Sequence, residues 1–123
     1  MTTVGILLVA HGSNVPEAEV EMRKLVHFLR TTTGMQTVEV GYLAYIAPSI
    51  QEAAKVCAAQ KLTDLFVVPF FLSDGFLCKK ALRLVREALG DSEVNLHVTE
   101  PLGGAPELIE AVLDGVRRAD QTG

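Results

Sequence analysis

The sequence predicts an α/β domain: a doubly wound, parallel four-stranded sheet with helices on both faces. Four apolar runs recur at regular spacing, amphipathic segments of helical length lie between them, and Gly or Pro stands at the joints. Strands that alternate with helices pair in parallel, because each helix carries the chain back across the sheet. Right-handed crossovers then distribute the helices over both faces. One domain covering residues 1–123 is expected, since a chain of 123 residues supports one proper core and falls short of two.

The first run, Val4 to Ala10, ends in Ile6-Leu7-Leu8-Val9-Ala10, an unbroken aliphatic stretch that reads as a strand buried on both faces. Pro16 and the acidic residues after it mark the first turn of a helix over Glu17 to Thr32, which Gly34 closes. A second strand spans Thr37 to Leu43, and Pro48-Ser49 opens a helix from Ser49 to Gln60. The third strand covers Leu65 to Phe71, followed by a helix from Lys79 to Leu89 that Gly90-Asp91 ends. Val94 to Val98 supplies the fourth strand, and Pro106 opens the last helix, Glu107 to Arg118. The expected strand order is the flavodoxin-like 2-1-3-4. No linker or low-complexity tract interrupts the pattern, and the repeated βα rhythm does not by itself indicate duplication.

Composition removes several classes of function. Hydrophobic residues make up 49% of the chain, yet Gly, Pro or charge interrupts every apolar run well short of the roughly 20 residues a membrane helix needs. A soluble protein without a membrane partner is expected, and the absence of a basic segment or cleavage site before the first strand predicts a cytoplasmic location. The formal charge of -4 lacks the positive field that binding nucleic acid requires. Cys57 and Cys78 have no close Cys neighbour, which argues against a zinc knuckle, a redox CxxC or a disulfide framework and for two reduced thiols. There is no GxxxxGK[ST], no GxGxxG after the first strand and no GxSxG, so nucleotide binding and acyl transfer recede.

The topology brings four loops to one sheet edge, the carboxyl ends of the strands, where open α/β sheets bind ligands. These loops carry His11-Gly12-Ser13, the stretch from Tyr42 to Ser49, that from Pro69 to Gly75, and that from Glu100 to Pro106. His11 is a metal-capable, titratable group at that edge; its alternative is a ring that merely closes a loop. Gly12 and Gly75 permit tight turns or close backbone approach. Ser13 and Ser73 are placed to cap helices, and they also expose amide donors to an anion. Lys79, Lys80 and Arg83 form the one dense basic cluster, suited to substrate carboxylates or simply to a solvated helix face. Phe70, Phe71 and Phe76 surround the same loop as an apolar wall for a flat ligand, with at least one expected in the core.

LLVAHGS near the start, Tyr45-Ile46-Ala47-Pro48-Ser49-Ile50, the stretch from Val67 to Gly75 and Glu100-Pro101-Leu102-Gly103 occur in this order over roughly Val4 to Leu113. Together they resemble the small CbiX-type sirohydrochlorin chelatases. The resemblance implies a class II chelatase fold, in which one short chain is half of the usual two-lobed enzyme and pairs as a homodimer. It implies ATP-independent insertion of cobalt or ferrous iron into sirohydrochlorin or a related tetrapyrrole, with Co2+, Fe2+ or Ni2+ as substrate and no organic cofactor. Metal insertion strips water from a divalent cation and removes two pyrrolic protons, and a neutral imidazole serves either step, so His11 carries both candidate roles. The implied substrate-binding set is Ser13, Tyr45, Phe70, Phe71, Ser73, Gly75 and Lys79.

Two departures from that pattern matter. Where the family continues Gly-x-His, this chain reads Gly75-Phe76-Leu77, and where it has Leu-Gly-x-His-Pro, this chain reads Leu102-Gly103-Gly104-Ala105-Pro106. Leucine and alanine neither ligate a metal nor move a proton, which leaves His11 as the imidazole facing the ligand. Cys78, one residue after Leu77, and Glu100, at the end of the fourth strand, are the remaining candidate metal ligands or bases. His27, within the first helix, and His97, within the fourth strand, read as structural. The expectation is therefore a chelatase with a reduced site. Its alternatives are a noncatalytic tetrapyrrole- or metal-binding protein on the same fold, and a different reaction on the same scaffold.

Overall fold

The structure, a computed structural model, describes residues 1–122. The chain runs β1 (Val4–Ala10), α1 (Pro16–Thr33), β2 (Val38–Tyr42), α2 (Ile50–Ala59), β3 (Asp64–Pro69), α3 (Phe76–Leu89), β4 (Asn95–Val98) and α4 (Pro106–Thr122). A short 3-10 turn, Leu102–Gly104, stands between β4 and α4. The strands form one sheet in the order β2-β1-β3-β4, and every pair is parallel. Fold class and strand order are those the sequence predicts.

Alternation along β1 divides the core in two. Leu7 and Val9, fully sealed, face Leu65 and Val67 of β3, Ile50, Ala54 and Cys57 of α2, and Ala81 and Val85 of α3. Leu8 points the other way, to Val26 of α1 and Val38 of β2, with Met22, Leu25 and Leu29 packed around them. Hence α2 and α3 cover one face and α1 the other. The helix ends follow from local chemistry. Ser49 accepts the Glu52 N–H while the Glu52 carboxylate accepts the Ser49 N–H, a reciprocal cap for α2. Pro16 opens α1, and Gly34 closes it in the left-handed conformation.

Most element bounds shift by a residue or two from the sequence reading, and two shifts at the carboxyl edge matter, as does the placing of α4. β3 ends at Pro69, two residues before Phe71: the Phe70 N–H makes the last bond to β1, at the Val9 carbonyl, and beyond it the chain turns to the 3-10 segment, where the Phe71 carbonyl accepts the Leu102 N–H. α3 begins at Phe76 with Gly75 as its cap residue, three residues before Lys79. Its first turn is apolar and lacks the acidic residues that announce α1 and α2. Helices do lie on both faces, but α4 covers neither: its main packing is against the 3-10 turn, and no residue of α4 whose side chain is described is buried.

Candidate functional site

His11 is the first residue after β1, directly beyond buried Ala10, and its side chain is exposed on the carboxyl edge. Its Nδ1 lies 3.2 Å from the Gly12 carbonyl oxygen. A carbonyl only accepts, so this contact puts the ring proton on Nδ1 and leaves the lone pair of the neutral ring on Nε2. The backbone around His11 is stitched to the next loop. The Leu43 N–H donates to the Ala10 carbonyl and the Ala44 N–H to the His11 carbonyl, both at 3.0 Å. Gly12 has φ +94°, and a Cβ there would stand 2.0 Å from the Ala44 carbonyl oxygen. Only glycine lets the two loops approach this closely.

The neighbour of His11 is Tyr45, with ring centroids 5.8 Å apart and a tilt of 52°. Tyr45 is 66% exposed and sits at φ 74°, the centre of a γ-turn closed by the Ile46 N–H on the Ala44 carbonyl at 2.9 Å. A positive φ in so bulky a residue stores strain on the order of 1–3 kcal/mol, a condition that clusters at ligand sites. Behind these loops a cavity of about 130 Å³ is lined by Gly12, Ser13, Glu19, Met22, Tyr42 and Ile46. Burial, then the charge of Glu19, raises the Tyr42 phenol above its ordinary range, so it stays a neutral hydroxyl.

The other two loops form the second half of the edge. Leu72, Ser73, Asp74, Glu100, Leu102 and Ala105 line a hollow of about 480 Å³. A second hollow, about 280 Å³, lies at the start of α3 among Phe71, Ser73, Gly75, Phe76, Leu77 and Cys78. Phe71 is half-buried and packs on the larger core cluster, as one of the three phenylalanines was expected to do, whereas Phe70 and Phe76 are exposed at 38% and 77%. Neither serine caps a helix: the Ser13 hydroxyl accepts the N–H of Val15, the residue that precedes α1, and α3 starts at Gly75 without a side-chain cap. With α2 capped by Ser49, α3 keeps uncapped amides at its start, and exposed Lys79 and Lys80 follow within the first turn and a half. Cations are unusual at that end of a helix dipole, so an anion is well matched there. Arg83 is turned to Glu87 instead, at 3.8 Å.

Cys78 lies in that first turn but is only 1% exposed, and burial together with Asp74 raises its thiol. As placed it is a packing group, and ligation needs the turn to open. Cys57 is equally sealed, with its thiol pushed up to about 12 by burial. His27 is exposed on α1, and His97 pairs with Asp64 at 2.9 Å and stacks on Phe66. Among the described residues no three His, Cys, Asp or Glu converge as a metal cage. A hollow of about 480 Å³ at the opposite edge, near Lys61 and Glu93, lies away from these groups.

The family model of CbiX matches residues 5–119. The chain belongs to the CbiX family. This CbiX chain is 30% identical to the sirohydrochlorin cobaltochelatase of Methanopyrus kandleri, over 94% of the chain and 96% of that protein. It is also 30% identical to the chloroplastic sirohydrochlorin ferrochelatase of Arabidopsis thaliana, over 92% of the chain but only 51% of that protein. Among solved structures, a putative cobalamin biosynthesis CbiX protein from Marinobacter aquaeolei superposes with TM-score 0.75 at 25% identity, over 98% and 99% of the two chains. SirB from Bacillus subtilis in complex with cobalt matches in fold with TM-score 0.82 at 24% identity, over 95% of this chain and 51% of that one. The CbiX chain thus spans the whole of some relatives and about half of others.

Sequence reasoning missed two site features of the CbiX chain. Tyr42 and Glu19 meet only through the contact of α1 with β2, which no local pattern reveals. The 3-10 turn was missed too, although the run Leu102-Gly103-Gly104 could have suggested a tight turn.

Proposed function

We propose that this CbiX chain inserts a divalent metal, Co2+ or Fe2+ with Ni2+ as a further option, into sirohydrochlorin or a closely related tetrapyrrole. The observation that carries the reading is His11, exposed on the carboxyl edge with Nδ1 turned to the Gly12 carbonyl, beside an aromatic ring and next to a cavity lined partly by apolar side chains. The metal enters the macrocycle as two pyrrolic protons leave, and neutral Nε2 either holds the metal or accepts a proton. Tyr45 and Phe70 offer exposed apolar faces to a flat ring, and Phe71 lines the hollow at the start of α3. The uncapped amides after Gly75, with Lys79, suit its carboxylates, and Ser13 and Ser73 offer hydroxyls at the same edge. Glu100 is the second candidate ligand or base.

Two copies form the working unit in this reading. An imidazole that has taken a proton cannot also hold the metal, so one His11 serves one event at a time, whereas a pair supplies two imidazoles. The coverage of about half of the chloroplastic ferrochelatase and of SirB supports the same reading. Two unpaired buried thiols suit a reducing compartment and support a cytoplasmic location.

The test follows metal insertion by the absorption change of sirohydrochlorin with Co2+ or Fe2+ against a protein-free control. The rate is expected to exceed the control, and His11→Ala to lower it about 10²- to 10⁴-fold, the range of a lost acid–base group. Binding of the macrocycle without acceleration would instead identify a noncatalytic tetrapyrrole carrier.

A further inference from the structure

We propose that Leu72, an exposed apolar side chain whose backbone is held by the bare Cα of Gly103, is a specificity-determining residue: it separates a hollow fit for a macrocycle carboxylate from one that turns it away. The assignment rests on the tetrapyrrole reading above and adds which hollow takes the charged fringe of the ring.

The hold on Leu72 comes from a close approach. A Cβ on Gly103 would stand 1.9 Å from the Leu72 carbonyl oxygen and 3.0 Å from its carbon, so the 3-10 turn lies against the Leu72 backbone only because that methyl is missing. One residue earlier in each segment, the Leu102 N–H donates to the Phe71 carbonyl at 2.9 Å, a second tie between the same two stretches of chain. Gly103 lies outside the left-handed region, so closeness rather than backbone conformation calls for glycine there. Leu72 therefore has a fixed base, while its side chain stands 67% exposed.

Its place gives that exposure a use. Leu72 and Ser73 line both hollows of this half of the edge, the larger beside Glu100 and the smaller at the start of α3, and so form the ridge between them. The two sides differ in charge. Asp74 and Glu100 stand in the larger hollow, whereas among the described residues no carboxylate lines the smaller one. There the uncapped amides that follow Gly75 open α3, with Lys79 next along the helix. A carboxylate in the larger hollow meets like charge; in the smaller it meets N–H donors and the positive end of a helix dipole. An apolar ridge between them supports the face of a flat ring and leaves its charged fringe to fall on the favoured side.

Equilibrium titration of metal-free sirohydrochlorin and of its full methyl ester, followed by absorbance, tests the ridge without requiring turnover. Wild type is expected to bind the acid about 10-fold more tightly than the ester, which cannot accept the charge-assisted bonds. Leu72→Ala should weaken binding of the acid about 10-fold and cut the preference over the ester to below about threefold, since nothing then keeps the fringe to one side. Leu72→Met restores the apolar bulk and should keep both values near wild type. Gly103→Ala pushes the Leu72 backbone away by about 1 Å and should act as Leu72→Ala does. Gly34→Ala, which strains the backbone at the far end of α1, should leave both affinities within about twofold. A Leu72→Ala protein that binds and discriminates like wild type, or a Gly34→Ala protein that loses as much as Gly103→Ala, would overturn the ridge and leave the tetrapyrrole reading in place. A wild-type protein that binds no sirohydrochlorin would overturn both.

Discussion

Replacing Gly12 with Ala tests how His11 is held. Two costs coincide there. A left-handed backbone in an L-residue costs about 1–2 kcal/mol. The added methyl stands 2.0 Å from the Ala44 carbonyl oxygen, where real Cβ contacts stay beyond 3.0 Å, so the two loops must separate by about 1 Å. That strains the Ala44 N–H bond to the His11 carbonyl, worth about 1 kcal/mol net. The expected destabilisation is about 3 kcal/mol, or a fall in Tm on the order of 10 °C. Displacing His11 by about 1 Å should also lower the insertion rate about 100-fold. Two controls separate the causes. Gly34 has φ +73° with nothing near its missing Cβ, so Gly34→Ala should cost about 1 kcal/mol, and Gly104, with neither feature, should change by less than about 0.5 kcal/mol. Urea unfolding followed by circular dichroism ranks the three. A Gly12→Ala protein no less stable than Gly34→Ala would refute the close-approach argument.

Acid should weaken the fold through two carboxylates. The His97 and Thr63 hydrogen bonds lower Asp64, and the Ser49 backbone and side chain lower Glu52. A depressed folded pKa means that the folded state binds fewer protons, so this stability is present above the ordinary carboxylate values, about 4, and is lost as pH falls through the folded values. The gap in urea midpoint between wild type and Glu52→Gln is therefore expected to narrow by pH 3, where both side chains are uncharged, and a constant gap would contradict the pairing of the Glu52 carboxylate with the Ser49 N–H. Both thiols should resist a thiol reagent at pH 8 and react only on unfolding, since each cysteine is 1% exposed and raised by burial. Prompt reaction of Cys78 would show that the first turn of α3 opens.

The succession of strands and helices was legible because its signals are local, whereas the strand order came from the fold class they imply. Each strand is an apolar run with a helix start behind it, and Pro16, Ser49 and Pro106 mark those starts by fixed chemistry. The start of α3 was not, because Phe76 and Leu77 are exposed apolar residues where a polar cap would ordinarily stand. That slip hid the role of Cys78. With the helix beginning at Phe76, Cys78 falls in line with Ala81, Val85 and Leu89, the buried stripe of α3. His11 was legible because a polar ring directly after a sealed strand has little choice but the edge. The strained turn at Tyr45 was not, since no glycine or asparagine at that position announces its positive φ.

The side chains lining the two hollows bear on the order of binding. Leu77 lines the hollow at the start of α3, and Ala105 lines the one beside Glu100. With these side chains no cage of three or more His, Cys, Asp or Glu forms among the described residues. A divalent ion entering alone would trade its water shell for one imidazole and, at most, an exposed carboxylate, a poor exchange for a borderline cation. The macrocycle brings four nitrogens of its own, and in the function proposed above Tyr45, Phe70 and Lys79 receive its plane and its carboxylates. The tetrapyrrole should therefore bind first and complete the metal's ligand set. Calorimetric titration is expected to show macrocycle binding without metal, and Co2+ binding that tightens at least about 100-fold once the macrocycle is present, a coupling of roughly 2.7 kcal/mol. Tight Co2+ binding to the protein alone, unchanged by His11→Ala, would refute that order and point to ligands elsewhere in the chain.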